Sequence, residues 1–66
     1  MTWQQYKDLI GTKHGPWVPN GTVEIINSGG YRYVARTNAA EWWAGFIIDY
    51  QNAITGKTIG KFRFTQ

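Results

Sequence analysis

The stretch that decides the fold is EWWAGFIIDY, residues 41–50 of a 66-residue chain. If it is a β-strand, neighbouring side chains point to opposite faces, so Trp42 and Trp43 cannot enter the same core. The even positions of this stretch are all apolar or aromatic, whereas the odd positions share a side with Asp49. We therefore expect Trp42 in the core and Trp43 on the outer face, unless a bulge at Gly45 reverses the alternation.

Two neighbouring segments sort their side chains in the same way. Residues 57–65 alternate phenylalanines with cations, and residues 31–37 alternate tyrosines with arginines. Unpaired charges do not enter the core of a small domain, so the cationic side of each strand is predicted to face outward. The predicted inward residues are Tyr31, Tyr33, Ala35, Thr58, Gly60, Phe62 and Phe64. The predicted outward residues are Arg32, Val34, Arg36, Lys57, Ile59, Lys61 and Arg63.

The N-terminal segment has the features of a short helix. Thr2 and Gln5 match a capping box, and Trp3, Tyr6, Leu9 and Ile10 then recur at helical spacing. Gly11 stands where a C-cap is expected, so the helix is predicted over residues 3–10. Two prolines make residues 11–21 an irregular connector, in which Trp17 packs over an edge of the core.

The remaining chain is typical of an antiparallel meander, with strands predicted over 22–27, 31–37, 41–51 and 57–65. Glycine turns at 28–30 and 52–56 connect the strands. The sequence therefore predicts one α+β domain over residues 1–66, with a short N-terminal helix on one face of a three- to four-stranded antiparallel sheet.

The composition limits how so short a chain can be stabilised. There is no cysteine and a single histidine, His14, so a disulfide framework and a Cys/His zinc site are excluded, and no metal or cofactor is expected. Four tryptophans, four tyrosines and three phenylalanines supply much of the apolar area instead. We expect no membrane span and no secretory signal, and hence a cytoplasmic protein.

Catalysis finds little support in the sequence. Ser28 is the only serine and lies in a glycine turn, and nothing in the sequence places His14 and an acid beside it. Glu41 and Asp49 share a predicted face but lie about 26 Å apart along one strand, too far to act as a carboxylate pair. We therefore expect that the protein is not an enzyme.

The charge is placed unevenly. Residues 1–30 sum to zero, whereas residues 31–66 hold five cations against two acids and account for the whole net charge of +3. A basic surface is typical of a protein that binds a polyanion, although surplus lysines also serve solubility. An exposed aromatic ring among cations suits nucleic acid, DNA or RNA, because cations neutralise phosphates and the ring stacks on a base. The predicted contact residues are Arg32, Arg36, Trp43, Lys57, Lys61 and Arg63.

Residues 42–64, WWAGFIIDYQNAITGKTIGKFRF, resemble the second and third strands of plant AP2-type and phage-integrase arm-type DNA-binding domains. The shared features are a tryptophan-containing strand, a turn ending in Thr-Gly-Lys, and a strand with glycine and an aromatic residue. The resemblance implies a sheet that docks in the major groove through the same six residues. The sequence departs from both families because its helix precedes the sheet and its strands contain fewer arginines.

Three alternatives remain open at this point. The chain could be a small protein-binding or inhibitory factor of phage or mobile-element type, since an exposed tryptophan beside arginine is typical of an interface hot spot. It could form a homodimer through the outer sheet face. It could also be a carbohydrate-binding module that uses Trp17, Trp43 and Tyr50 as stacking platforms.

Overall fold

The structure, a computed structural model, describes residues 1–37 and 45–64. Its elements are α1 (Trp3–His14), β1 (Val18–Asn20), β2 (Val23–Ser28), β3 (Tyr31–Arg36), β4 (Phe46–Asn52) and β5 (Thr58–Phe64). The five strands form one sheet in the order β1-β2-β3-β4-β5, and every neighbouring pair is antiparallel. The predicted α+β arrangement is confirmed, with one strand more than the sequence suggested.

The helix begins as predicted. The backbone N–H of Gln5 donates to Thr2 Oγ1 at 3.1 Å, and the Thr2 N–H donates to Gln5 Oε1 at 2.9 Å, which completes the capping box. Trp3 and Ile10 are buried, but Leu9 is 54% exposed, so the apolar face is narrower than the sequence suggested.

The predicted helix end at Gly11 is wrong, because α1 continues to His14. Gly11 lies against the indole of Trp17, and a methyl group placed on it would be 3.4 Å from Trp17 Nε1. The actual C-cap is Gly15, whose φ of 112° suits glycine and whose N–H donates to the Gly11 carbonyl at 2.9 Å. Pro16 follows, and it disfavours further helix.

Part of the predicted connector is a strand. Trp17 packs on the core as expected, and its Nε1 donates to the carbonyl of Lys7 at 2.9 Å, which ties the segment to the helix. The three residues of β1 then pair with β2, with Val18 opposite Ile25. The prediction that the whole of residues 11–21 is irregular is therefore wrong.

The face assignments hold over most of the sheet. The core between α1 and the sheet contains Trp3, Ile10, Ile26, Ala35 and Ile48, with Tyr6, Trp17, Tyr33, Phe46 and Phe64 packed against it. Phe46 and Ile48, two even positions of β4, belong to this core, so the prediction that they face inward is confirmed. The indole of Trp3 also donates to the carbonyl of Ile47 at 3.2 Å, which fastens the start of α1 to β4. Residues 38–44, including Trp42 and Trp43, lie outside the described residues. The prediction that Trp42 faces the core and Trp43 faces outward therefore stays a prediction.

Within the described residues, the register between β4 and β5 shifts at Tyr50 and Gln51. Tyr50 lies opposite Gly60 and Gln51 lies opposite Thr58, so Ile59 is the extra residue of a bulge. This shift moves Thr58 to the outer side with Gln51, contrary to the sequence prediction.

The same shift changes the position of Lys57. The N–H of Asn52 donates to the Lys57 carbonyl at 2.9 Å, so Lys57 pairs with Asn52 on the helix side of the sheet. The prediction that Lys57 faces outward is therefore also wrong, because one inserted residue reverses the alternation beyond it.

Candidate nucleic-acid interface

The outer face is the side of the sheet that turns away from α1, and its side chains form three cross-strand rows. The polar row contains Asn27, Arg32, Gln51 and Thr58. The acidic row contains Ile25, Val34, Asp49 and Lys61. The third row contains Arg36, Ile47 and Arg63.

All four side chains of the polar row are able to form hydrogen bonds. Its centre is fixed by Arg32, whose Nε and Nη2 donate to Gln51 Oε1 at 3.1 and 2.8 Å. This contact uses two of the five guanidinium N–H groups, so three others are not engaged by Gln51. Holding the guanidinium in place before a ligand arrives reduces the rotamer entropy that binding would cost.

Asp49 lies at the centre of the acidic row and is buried, with a side chain only 6% exposed. Its Oδ2 lies 3.1 Å from Nε of Arg36, but the alignment is too poor for a hydrogen bond, and Oδ1 has no hydrogen-bond partner either. Lys61 stands directly opposite Asp49 on β5. Arg36 is therefore partly neutralised, and the carboxylate is incompletely satisfied.

The apolar side chains in the middle of the outer face are buried. Val34 is 8% exposed and Ile47 only 1%, although both lie on the side away from the helix. Exposed apolar side chains lie on the two edge strands: Ile59, in the bulge of β5, is 57% exposed, and Val18 of β1, which pairs with Ile25 of this face, is 60% exposed. A ligand on this face would therefore meet polar side chains between apolar residues at the two edges.

Four of the six predicted contact residues share the outer face: Arg32, Arg36, Lys61 and Arg63. Together with Asp49 they give a local charge of four minus one, or +3. Lys57 lies on the other side, and Trp43 is outside the described residues. Asn27, Gln51 and Thr58 were missed, since neutral polar side chains gave no signal before the strand register was known.

The structure brings together two residues that the sequence gave no reason to associate. His14 Nδ1 lies 3.1 Å from Ser28 Oγ, and its ring packs on Tyr33 at a centroid distance of 5.3 Å. The acids of the described residues are engaged elsewhere, with Asp8 on Gln4, Glu24 on Lys7 and Asp49 on Arg36. The His14–Ser28 contact therefore ties the end of α1 to the β2–β3 turn and, within the described residues, lacks the acid of a triad.

A cleft of about 480 Å³ lies beside this contact, where the connector passes over β2. Its walls are formed mainly by Pro16, Val18, Pro19, Ile25 and Ile26, with His14, Asn20 and Asn27 as the polar lining. This lining includes no aspartate, glutamate, lysine or arginine, so the cleft is a mainly apolar groove.

A second feature that the sequence did not show is a row of tyrosines on the helix side. Tyr31 and Tyr50 are stacked with centroids 5.2 Å apart, and Tyr33 meets Tyr50 at 4.9 Å. Burial raises the pKa of the Tyr33 hydroxyl, and the neighbouring Tyr6 adds to the effect. The pKa of Tyr50 is also raised, first by burial and then by Tyr33 and Tyr31.

Comparisons with protein families, with curated proteins and with solved structures found no match to this chain. No helix in residues 1–37 and 45–64 is long and apolar enough to cross a membrane. Over the same ranges, no three His, Cys, Asp or Glu side chains come together as metal ligands. The function must therefore be inferred from the geometry of the chain's own residues.

Proposed function

We propose that this protein binds nucleic acid, DNA or RNA, through the outer face of its sheet. The observation that supports this function best is that the polar row lies beside the cations. The cations suit phosphates, and the polar row suits base edges. Arg36, Lys61 and Arg63 neutralise phosphates, which supplies affinity without regard to sequence. Arg32 and Gln51 offer the amide and guanidinium groups that pair with base edges.

The composition of the outer face favours a polyanion over an apolar protein partner. Protein interfaces place aromatic or aliphatic anchors at a centre that is depleted of charge. Here the central apolar residues Val34 and Ile47 are already buried, and the exposed apolar residues Val18 and Ile59 lie on the edge strands β1 and β5. The same observation weakens the case for a homodimer through this face.

Binding is best measured with fluorescein-labelled duplex and single-stranded DNA of equal length, titrated at several salt concentrations. If the local charge of +3 corresponds to about three phosphate contacts, log K for the duplex falls with a slope of about −2.7, which is about 40-fold between 50 and 200 mM salt; for the single strand the slope is about −2.1, or about 20-fold. Failure of both the duplex and the single strand to bind at 50 mM salt would refute the proposal.

Single-charge variants locate the contact. Lys61→Gln removes a cation of the outer face and is expected to reduce the salt slope by about 0.9. Lys13→Gln is the matched control, because Lys13 is exposed in the last turn of α1 and belongs to no row of the sheet. Equal effects of the two variants would mean that the net charge, and not the outer face, determines the affinity.

A further inference from the structure

The helix leaves one corner of its own side of the sheet uncovered. α1 crosses the sheet diagonally, with Trp3 on Phe46 at 5.5 Å at one end and His14 on Tyr33 at 5.3 Å at the other. Beyond this diagonal, near the β4–β5 turn, lies a group of residues that we name the open corner. Its members are Tyr31, Tyr50, Asn52, Lys57 and Gly60.

The open corner presents aromatic rings to solvent. Tyr31 is 40% exposed, although it belongs to the side that holds the core. Tyr31 and Tyr50 lie nearly parallel, at 13°, so the outer ring continues a stack that is already formed. Gly60 lies opposite Tyr50, and a methyl group placed on it would meet no atom within 4 Å, which leaves a space beside the rings.

The charge of the open corner is positive. Lys57 is exposed and pairs with Asn52, one rung from Tyr50, and no acid belongs to this group of residues. The side-chain oxygen of Asn52, Oδ1, already accepts from the N–H groups of Ile54 and Thr55, at 2.9 and 3.0 Å. The corner therefore offers flat rings and a cation, but few fixed groups that could recognise the hydroxyls of a sugar.

We propose that the open corner stacks an unpaired base of a single-stranded nucleic acid on Tyr31, with Lys57 on the adjoining phosphate. Base stacking on aromatic rings beside cations is the common mode of single-strand binding, and every base has a face that can stack. The inference rests on the proposed function for the class of ligand, but it uses different residues on the opposite side of the sheet.

The first test compares ring and hydroxyl variants with a fluorescein-labelled single-stranded thymidine 10-mer. Tyr31→Ser is expected to weaken binding about 5- to 150-fold, which is the range for losing one base stack, whereas Tyr31→Phe retains it. Lys57→Gln is expected to weaken binding more than Lys13→Gln. Equal affinities of the Tyr31→Ser and wild-type proteins would overturn the inference.

The second test uses the wild-type protein and does not depend on the folding of a variant. In ¹⁵N- and ¹³C-resolved NMR, the thymidine 10-mer is expected to shift the amide signal of Gly60 and the ring signals of Tyr31. Signal shifts confined to Arg32, Gln51 and Lys61 would overturn the inference that the open corner binds the 10-mer, but would be consistent with the proposed function. Absence of any shift would overturn both. Shifts at Gly60 with cellohexaose but not with the 10-mer would assign the corner to a sugar, and would also overturn the inference.

Discussion

Asp49→Asn offers the sharpest test of the outer face, because it is expected to improve binding. Asp49 is the acid among the cations of this face, and its carboxylate lies 3.1 Å from Nε of Arg36. The asparagine side chain has nearly the same shape but no charge. The substitution raises the local charge from +3 to +4 and releases Arg36 for contact with phosphate.

The expected change follows from counting phosphates. One more contact steepens the salt slope from about −2.7 to about −3.6, so the loss of affinity between 50 and 200 mM salt grows from about 40-fold to about 150-fold. At 50 mM salt the variant is expected to bind more tightly than the wild type. The free energy of unfolding is expected to fall by about 1–2 kcal/mol, less than for a fully buried pair, because Arg36 is 30% exposed and can turn to water.

Asp8→Asn is the matched control for this measurement. It changes the net charge by the same amount, but Asp8 lies on α1 and its carboxylate accepts from Gln4 at 2.9 Å. Fluorescence anisotropy titrations of the three proteins at four salt concentrations give the slopes directly, and urea unfolding gives the stability. Weaker binding by Asp49→Asn, or equal slopes for Asp49→Asn and Asp8→Asn, would refute the assignment of the outer face.

Three further predictions concern stability. Because the pKa values of Tyr33 and Tyr50 are raised above the ordinary 10.0, the folded state holds these protons more tightly, so the free energy of unfolding is undiminished below pH 10 and falls as the pH rises through the folded-state pKa values. Urea unfolding across this alkaline range measures the fall, which Tyr33→Phe is expected to reduce. Gly11→Ala is expected to stabilise α1 by up to about 1 kcal/mol, since the added methyl group makes ordinary contacts with Trp17. Gly15→Ala is expected to cost about 1–3 kcal/mol, because its φ is 112° and its ψ is 179°. Thermal unfolding of the two variants would contradict the helix end described here if both were stabilised or both destabilised. Thr2→Ala is expected to cost about 1 kcal/mol by removing the N-cap, and urea unfolding that matched the wild type would contradict the capping box.

The parts of the fold that the sequence predicts are those that local chemistry determines. The capping box at Thr2 requires only residues three positions apart, and the alternation of phenylalanines and cations in β5 identifies the inward side of that strand. The helix end was not predictable from Gly11, because a glycine that ends a helix and a glycine within a helix look the same in a sequence. β1 was missed for a similar reason, since its pairing with β2 depends on Trp17 anchoring the connector to Lys7.

The bulge at Ile59 determines which cations share a face of the sheet, and the alternating pattern of β5 gives no sign of it. A strictly alternating strand would put Lys57 on the outer face and give that face a charge of +4. The register shift instead leaves +3 on the outer face and places Lys57 beside the stacked tyrosines. Consecutive residues, Lys57 and Thr58, therefore belong to opposite sides of the sheet. A ligand that contacts both sides must turn around the β4–β5 hairpin within a few residues' length, and duplex DNA, with a persistence length of about 150 base pairs, is too stiff to do so. A single strand can make that turn, so the split of the cations between two faces favours a single-stranded ligand.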